Sequence, residues 1–337
     1  MVLTSINEVG TPGGMIKPFV GYTVPEGQRE RMVHTGQMKW FECTETPELL
    51  YRKYYAGCLR EGDRLLVKRL GGAGDVIWGL PVIKEIKQRF NKITIGYWVS
   101  EKDMPLLVGN PYIDEAMHDP DYKKVMTYDW VLDYYETIER YNPAEYEEAY
   151  DIHFKWALNE LPKGDLMGNL FITDFENYQV KRIFGENYIV VALNSSSPKR
   201  TYFQMGAIID RILAETDYKI LVSGDYPIEL PSNKRIVNLI RKTTLREFLA
   251  IVNNSKLVVC TDSGNTHFAG QLRKPCVALY STAHADTRTK YYPLMKFLQS
   301  KEYCSPCVKL GEYCPKEPQC LTRINVSAVM NRVKELI

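Results

Sequence analysis

The chain has 337 residues, which is more than one ordinary hydrophobic core needs and is typical of two domains. Apolar residues make up 45% of it and charged residues 25%, the proportions of a globular protein. Its 43 basic and 41 acidic residues leave a net charge of +2, which excludes a global field that would attract nucleic acid. Any anionic partner must therefore be held by a local site.

The first 20 residues lack the basic start, apolar stretch and small-residue cleavage site of a signal peptide. No later segment approaches the apolar length of a membrane-spanning helix. We therefore expect a cytoplasmic protein without a transmembrane segment. This expectation is compatible with peripheral contact with a membrane.

Residues 1–60 show no sustained hydrophobic period, and we interpret them as an irregular or small β-rich extension of unknown role. The pattern changes at residue 61. An apolar strand is predicted at 64–70, a helix from apolar positions between 77 and 90, and a β-branched strand at 93–100. This order predicts a βαβ unit with a parallel strand pair. Residues 122–185 have mixed periodicity, and we expect them to complete a first domain, residues 61–185, and to lead into a linker.

Residues 186–337 are predicted to form a second α/β domain. Buried strands and helical patterns alternate, with strands predicted at 188–196, 218–224, 257–262 and 275–281 and helices at 202–216, 244–255 and 265–272. Two such halves predict two Rossmann-like, doubly wound domains that face a cleft.

The loop LGGAGDVIWGLP, residues 70–81, joins the first strand to the first helix. A dinucleotide-binding G-x-G-x-x-G would need glycine where Ile77 stands, and no Lys-Ser or Lys-Thr follows Gly79 as in a P-loop. What remains is a flexible turn at Gly72 and Gly74 followed by a carboxylate. Asp75 either caps the helix or, at the carboxyl end of a parallel strand, accepts a proton from a substrate hydroxyl.

Two strand-to-helix junctions of the second half are candidate anion sites. The first is the stretch LNSSSPKRTYF, in which a predicted strand is followed by a helix start with the candidates Ser195, Lys199 and Arg200. A helix start with hydroxyls and cations favours phosphate binding. An ordinary polar loop is the alternative. In VVCTDSGNTHFAG the turn after a strand would wrap a pyrophosphate. The candidate residues of this turn are Asp262, Ser263, Gly264, Asn265 and His267.

Weaker candidates follow two other strands. Asp225, or alternatively Glu229, could bind a ribose hydroxyl, and Thr282 and His284 lie in a later loop. For Asp262 the structural alternative is a helix cap, and for His267 it is a histidine at a helix start with no ligand.

Four of the eight cysteines cluster as C-x2-C-x6-C-x5-C at Cys304, Cys307, Cys314 and Cys320. Four thiolates at this spacing suit a tetrahedral Zn or Fe site, while two disulfides or free thiols are the alternatives. We expect a structural metal here, and we expect the other four cysteines to be isolated.

Several of these motifs together resemble glycosyltransferase family 9, the ADP-heptose heptosyltransferases. The resemblance rests on GDVIWGLPVIKEIKQRF, on LLVGNPYIDEAM at 106–117 and on Asp262, Gly264 and His267, which match the family's Asp-x-Gly-x-x-His. It implies a GT-B fold over residues 64–330, with Asp75 as catalytic base. It also implies donor-phosphate contacts from the Lys199–Arg200 stretch and an iron-binding type of cysteine cluster.

The resemblance thus implies an inverting glycosyltransferase with no cofactor for catalysis. It would move a sugar, heptose first, from a nucleotide-diphospho-sugar such as ADP-heptose to a hydroxyl of a glycan, a lipid-linked glycan or a protein. A nucleotide-sugar epimerase on the same fold and a non-catalytic sugar- or nucleotide-binding module are the alternatives.

Overall fold

The computed structural model describes residue 54 and residues 56–134, 147–193, 200–307 and 320–337, together with five short strands of the N-terminal extension. These strands are β1 Val2–Ser5, β2 Val9–Thr11, β3 Gly14–Ile16, β4 Tyr22–Thr23 and β5 Trp40–Cys43. Strand β1 pairs antiparallel with β4 and β5, and β2 pairs antiparallel with β3. The described part of the extension is thus β-structured.

The first α/β unit is a four-stranded parallel sheet in the order β8-β7-β6-β9. Its strands are β6 Arg64–Lys68, β7 Thr94–Trp98, β8 Glu115–Met117 and β9 Trp130–Asp133. Helix α1, Ala73–Arg89, crosses from β6 to β7 and begins four residues before the predicted apolar stripe, directly after the glycine turn. The predicted βαβ unit is confirmed.

The segment at 122–185 contains regular secondary structure in its described residues. It contributes strand β9 to the sheet and carries three helices, α2 Tyr122–Val125, α3 Ala149–Leu158 and α4 Asp174–Phe184. Helix α3 is capped by Glu148, and α4 by Thr173 and Glu176 in a reciprocal capping box. These described residues thus add a strand to the first sheet, as expected of a segment that completes the first half, and the linker stays a prediction.

The second sheet has six parallel strands in the order β12-β11-β10-β13-β14-β15. Its strands are β10 Tyr188–Ala192, β11 Lys219–Ser223, β12 Ile236–Asn238, β13 Leu257–Thr261, β14 Cys276–Tyr280 and β15 Met295–Gln299. The accompanying helices are α5 Met205–Glu215, α6 Leu245–Asn254, α7 Gly264–Gln271, α8 Asp286–Thr289 and α9 Val326–Lys334. All four predicted strands and all three predicted helices are present, which confirms the second α/β half. Most are shorter than predicted, while α7 has the predicted length and begins one residue earlier.

The two halves share one apolar core. A single cluster of buried side chains runs from the first sheet through α1, α3 and α4 to α6 and α7 of the second half. A second cluster fills the opposite face of the six-stranded sheet, under α5 and α9. Within the described ranges, no helix is both long and apolar enough to cross a bilayer.

Gly270 in α7 allows Tyr292 to pack in this shared core, because a methyl group on its Cα would lie 2.5 Å from the tyrosine ring. We therefore predict that Gly270→Ala lowers the free energy of unfolding by about 1–3 kcal/mol, as overpacking does. Gly206 in α5 is the matched control, since nothing lies within 4 Å of its added methyl group. Gly206→Ala should be neutral or stabilising by up to about 1 kcal/mol. Urea denaturation measures both, and equal effects would contradict the packing argument.

Candidate active site

The starts of two helices, one from each half, meet at the carboxyl edges of the sheets. A methyl group on Gly74 in α1 would lie 2.6 Å from Cδ2 of His267 in α7. A methyl group on Gly264, the first residue of α7, would lie 3.4 Å from Cβ of Ala73, the first residue of α1. The glycine loop of the first half and the Asp262–His267 turn of the second half are therefore in direct contact.

Asp75 is the third residue of α1, and its carboxylate forms one backbone hydrogen bond and one ion pair. Its Oδ2 accepts the backbone N–H of Gly72 at 2.8 Å, and its Oδ1 pairs with Nη2 of Arg69 at 3.0 Å. Arg69 is fully buried, and it also donates to the Tyr134 carbonyl at 3.1 Å. The expected cap is thus real, but a carboxylate has about four acceptor sites, so two bonds leave it able to accept another proton donor. The side chain is 27% exposed, which keeps it accessible from the junction.

The two glycines of the loop contribute to the site in different ways. Gly72 supplies the N–H that fixes Asp75, and it has an extended backbone with a φ of −81°. Gly74 supplies space, since its bare Cα faces the His267 ring. Both predicted loop residues therefore lie at the site, one by orienting the carboxylate and one by admitting the second half.

Asp262 directly follows β13 and is almost fully buried. Its Oδ2 accepts from Oγ1 of Thr282 at 3.1 Å. Burial raises the pKa of the Asp262 carboxyl, while the positive charges of Arg200 and Arg288 and the Thr282 hydrogen bond act in the opposite direction. Arg200 and Thr282, both expected from the sequence as candidates, are thus brought to Asp262.

The turn after Asp262 builds the start of α7. Ser263 caps the helix, because its Oγ accepts the Asn265 N–H at 3.3 Å and donates to the Thr261 carbonyl at 3.0 Å. Ser263, Gly264 and Asn265 are half-buried and lie at the positive end of the helix dipole. This start faces the glycine loop and is a site at which an anion would be stabilised.

His267 is buried and neutral. Its Nδ1 lies 2.7 Å from the Tyr292 hydroxyl, and its ring meets the Trp78 ring edge-on at 5.0 Å. Burial, and next the charge of Arg288, lower its pKa to about 3, with Asp75 acting in the opposite direction. His267 is thus a hydrogen-bonded histidine near a helix start, as the structural alternative described it. It also lies within the contact between the two halves.

The proton on His267 can be located from its hydrogen-bond chain. Gln271 donates to the Tyr150 hydroxyl at 2.8 Å. The arrangement in which every hydroxyl proton of this network has an acceptor is the one in which Tyr150 donates to the Tyr292 hydroxyl, 3.1 Å away. Tyr292 then donates to Nδ1 of His267. The ring proton is therefore on Nε2, the nitrogen that lies 3.1 Å from the position of a methyl group on Gly74.

Arg288 is a site residue that the sequence analysis missed. It lies on the short helix α8, and its guanidinium stands over the Trp78 ring of α1, with Cζ 5.2 Å from the ring centroid. Among the described residues it hydrogen-bonds only Thr287, and no carboxylate is within ion-pair distance. Its charge acts on Asp262, His267 and Glu148. The only sequence signal was a cation in a loop after a strand, which is too common to single it out.

Glu148, also missed, is buried beside this arginine. Its Oε2 accepts the N–H groups of Tyr150 at 2.6 Å and Asp151 at 3.3 Å, which caps α3. Burial, and next the neighbouring charge of Asp151, raise its pKa to about 8. The carboxyl is therefore mostly protonated at neutral pH.

The remaining candidates lie at or beyond the edge of this site. Asp225 and Glu229 are exposed in the loop after β11, and His284 is half-buried in the loop after β14. Ser195 and Lys199 lie outside the described residues. Their predicted roles stay predictions.

The cysteine cluster is only partly described. Cys304 and Cys320 form no disulfide, and Cys314 lies outside the described residues. The described residues, which include Cys307, contain no group of three or more His, Cys, Asp or Glu side chains that could hold a metal. The predicted metal stays a prediction. Cys260 and Cys276, expected to be isolated, instead lie with their Sγ atoms 3.7 Å apart in neighbouring strands.

The chain resembles known proteins in both sequence and fold. The model of glycosyltransferase family 9 (heptosyltransferase) matches residues 156–316, which confirms the predicted resemblance and the enzyme class, glycosyltransferase. No curated protein matches the chain.

Solved structures match most of its length. E. coli ADP-heptose LPS heptosyltransferase II is 14% identical with a TM-score of 0.65, and the match covers 81% of this chain and 98% of that one. A family 9 glycosyltransferase from Veillonella parvula is 16% identical with a TM-score of 0.65, over 82% and 97%. The dodecameric iron-containing heptosyltransferase TibC, solved with ADP-D-β-D-heptose, is 14% identical with a TM-score of 0.62, over 96% and 85%. At these identities the likeness shows the fold, which is the predicted GT-B type.

The contact between the two halves predicts unequal effects for the two loop glycines. Gly74→Ala would drive a methyl group into the His267 ring, so we expect a loss of about 1–3 kcal/mol in the free energy of unfolding. Gly72→Ala is the control, since its methyl group would meet only Oδ2 of Asp75, at an ordinary 3.4 Å. The urea concentrations at the midpoints of unfolding compare the stabilities of the two variants. Indistinguishable midpoints would mean that the helix starts do not pack as described.

The raised pKa of Glu148 predicts a pH dependence of stability. Between its ordinary value of 4.5 and about 8, the folded chain holds a proton that the unfolded chain has lost. Stability attributable to this group therefore falls as pH rises through that window, by on the order of 1 kcal/mol per pH unit at most. Glu148→Gln should remove this component, so that the variant gains stability relative to the unmodified chain from pH 5 to pH 8. A pH dependence in Glu148→Gln that runs parallel to that of the unmodified chain would contradict the assignment.

Proposed function

We propose that this chain is an inverting heptosyltransferase that moves heptose from ADP-heptose to a hydroxyl group. The observation that carries the proposal is the contact of Gly74 with His267, which places the carboxylate of Asp75 opposite the anion-favouring start of α7. A base for the acceptor and a site for a diphosphate leaving group are thereby adjacent. The family match and the TibC complex with ADP-D-β-D-heptose support the choice of donor.

On the donor side, the diphosphate would lie against the turn formed by Ser263, Gly264 and Asn265. The helix dipole and the charges of Arg200 and Arg288 act here, and all of them favour the negative charge that develops as ADP departs. Ser195 and Lys199 belong to the proposal by resemblance, and Asp225 is the candidate for a ribose hydroxyl. Cations and helix amides would thus stabilise the leaving group, and no cofactor for catalysis enters the proposal.

On the acceptor side, Asp75 would accept the proton of the attacking hydroxyl. The oxygen then forms a bond to the anomeric carbon on the face opposite the diphosphate, the bond from that carbon to the phosphate oxygen breaks, and the configuration inverts. The bonds from Gly72 and Arg69 hold the carboxylate in one orientation, which is what a general base needs. We assign the acceptor to the half at 61–185 and the donor to the half at 186–337.

His267 would act without changing its charge. A neutral imidazole with its proton on Nε2 can donate a hydrogen bond toward the junction with no excess positive charge. Asp262 directly follows the strand, where Thr282 donates to it and the charges of Arg200 and Arg288 act on it, and it would order the donor turn.

The catalytic assignment of Asp75 predicts a separation of turnover from binding. In Asp75→Asn we expect ADP release from ADP-heptose, with methyl glycosides and serine peptides offered as acceptors, to fall by about 10²–10⁴-fold, the usual contribution of a general base. The affinity for ADP, measured by calorimetry, should stay within about threefold. The asparagine keeps the size of the side chain but removes the carboxylate that pairs with the buried Arg69, so the ADP affinity also checks that the variant is folded.

Asp174→Asn is the control, because Asp174 is an exposed aspartate in the first turn of α4. It should retain full turnover. Unchanged turnover in Asp75→Asn, with ADP bound normally, would overturn the catalytic role and favour a non-catalytic nucleotide-binding module.

A further inference from the structure

Three buried polar atoms, on helix α1, on helix α3 that packs against it and at the cap of α3, have no hydrogen-bond partner among the described residues. They are Nε1 of Trp78 in α1, Nε2 of His153 in α3 and Oε1 of Glu148, the cap of α3. Their residues are 6%, 0% and 3% exposed. A buried polar atom without a partner costs roughly 1–3 kcal/mol, so three in one neighbourhood indicate a place where a polar group binds.

The three residues share Arg288 as a neighbour. The rings of Trp78 and His153 are 6.2 Å apart, and the guanidinium of Arg288 covers the Trp78 ring from the second half. The charge of Arg288 acts on both Glu148 and His153. Trp78 follows Asp75 by three residues in α1 and therefore lies on the same helix face, one turn further on. The neighbourhood adjoins the proposed base.

The hydrogen-bonding character of two of these atoms is fixed. His153 has Nδ1 at 2.8 Å from the Ala149 carbonyl, which can only accept, so the ring proton is on Nδ1. Burial lowers its pKa to about 4, so the ring is neutral and Nε2 carries a free lone pair. The indole Nε1 of Trp78 can only donate. One acceptor and one donor, with no charge on either, match a hydroxyl group, which both donates and accepts.

We propose that Trp78 and His153 form a hydroxyl-binding subsite of the acceptor, which holds a hydroxyl next to the one that Asp75 deprotonates. The proposal rests on the proposed function for its acceptor, and it makes both residues positioning residues. An acceptor hydroxyl donates to Nε2 of His153 and accepts from Nε1 of Trp78. Because Asp75 and Trp78 are one helical turn apart, a molecule with two neighbouring hydroxyls can occupy both positions.

The test is the indole region of a ¹H–¹⁵N spectrum of the full chain. The chain has five tryptophans, and Trp78→Phe assigns the signal of Trp78. With ADP present, methyl α-mannopyranoside should shift that signal in a saturable way, whereas 2-methoxytetrahydropyran, a ring without hydroxyls, should not. Trp156, which is 48% exposed on α3, is the internal control and should not respond. N-acetylthreonine methylamide, with one hydroxyl, shows whether a peptide hydroxyl can also occupy the subsite.

The second measurement follows the Trp78 signal and the KM of the mannoside in variants of His153 and Trp78. His153→Leu removes the acceptor atom and should abolish the shift, and His153→Gln, which keeps an acceptor oxygen, should restore part of it. With ADP-heptose as donor, Trp78→Phe should raise the KM of the mannoside by about 3–10-fold, the value of one hydrogen bond, and leave the KM of ADP-heptose unchanged. Trp78→Phe keeps an aromatic ring, so the variant tests the N–H itself.

The outcomes separate this inference from the proposed function. A saturable Trp78 shift without any transfer would support the subsite and contradict the heptosyltransferase. Transfer to the mannoside with an unmoved Trp78 signal would overturn the subsite and leave the proposed function standing. A Trp78 N–H that shows contact only with a bound water, at every probe concentration, would overturn the subsite as well.

Discussion

The structure depends on one close approach, that of Gly74 in α1 to His267 in α7. Any side chain at residue 74 would hold the starts of the two helices apart. Because Asp75 and Trp78 are fixed to the same helix as Gly74, this contact determines where the carboxylate and the indole stand relative to the second half. A series of hydrogen bonds crosses the same junction, from Gln271 through Tyr150 and Tyr292 to His267. Hydrogen bonds as well as packing therefore fix the positions of the two halves relative to each other.

Charge at the junction is distributed in a way that suits the departure of an anion. Arg69 is paired with Asp75, while Arg200 and Arg288 act on Asp262 and on the start of α7. The histidines are neutral, since burial lowers the pKa of His267 to about 3 and of His153 to about 4. The net field at the helix start is therefore positive, which favours a diphosphate, whereas the neighbourhood of Trp78 and His153 offers uncharged partners to a hydroxyl.

The parts predictable from sequence were those with local signals. The six predicted strands of the two α/β halves are the interior strands of the two sheets, which read as continuous apolar runs because both faces are covered. The four strands that were missed, β8, β9, β12 and β15, are the edges, where chains are short or carry polar residues. Asp75 and the Asp262–His267 turn were found because each sits in one contiguous motif. Arg288, Glu148 and His153 were missed because their significance arises from neighbours far away in the chain, such as Trp78 for Arg288, which no local pattern encodes.

The central claim is that the junction between the two helix starts binds the nucleotide diphosphate of the donor. Isothermal titration of the full chain with ADP, UDP, GDP and NAD, repeated on Asp262→Ala, tests it most directly. We expect one ADP per chain, bound at least tenfold more tightly than the other three nucleotides, with that affinity reduced at least tenfold in the variant. Binding of NAD alone, of no nucleotide, or of ADP equally well to both proteins would contradict the claim.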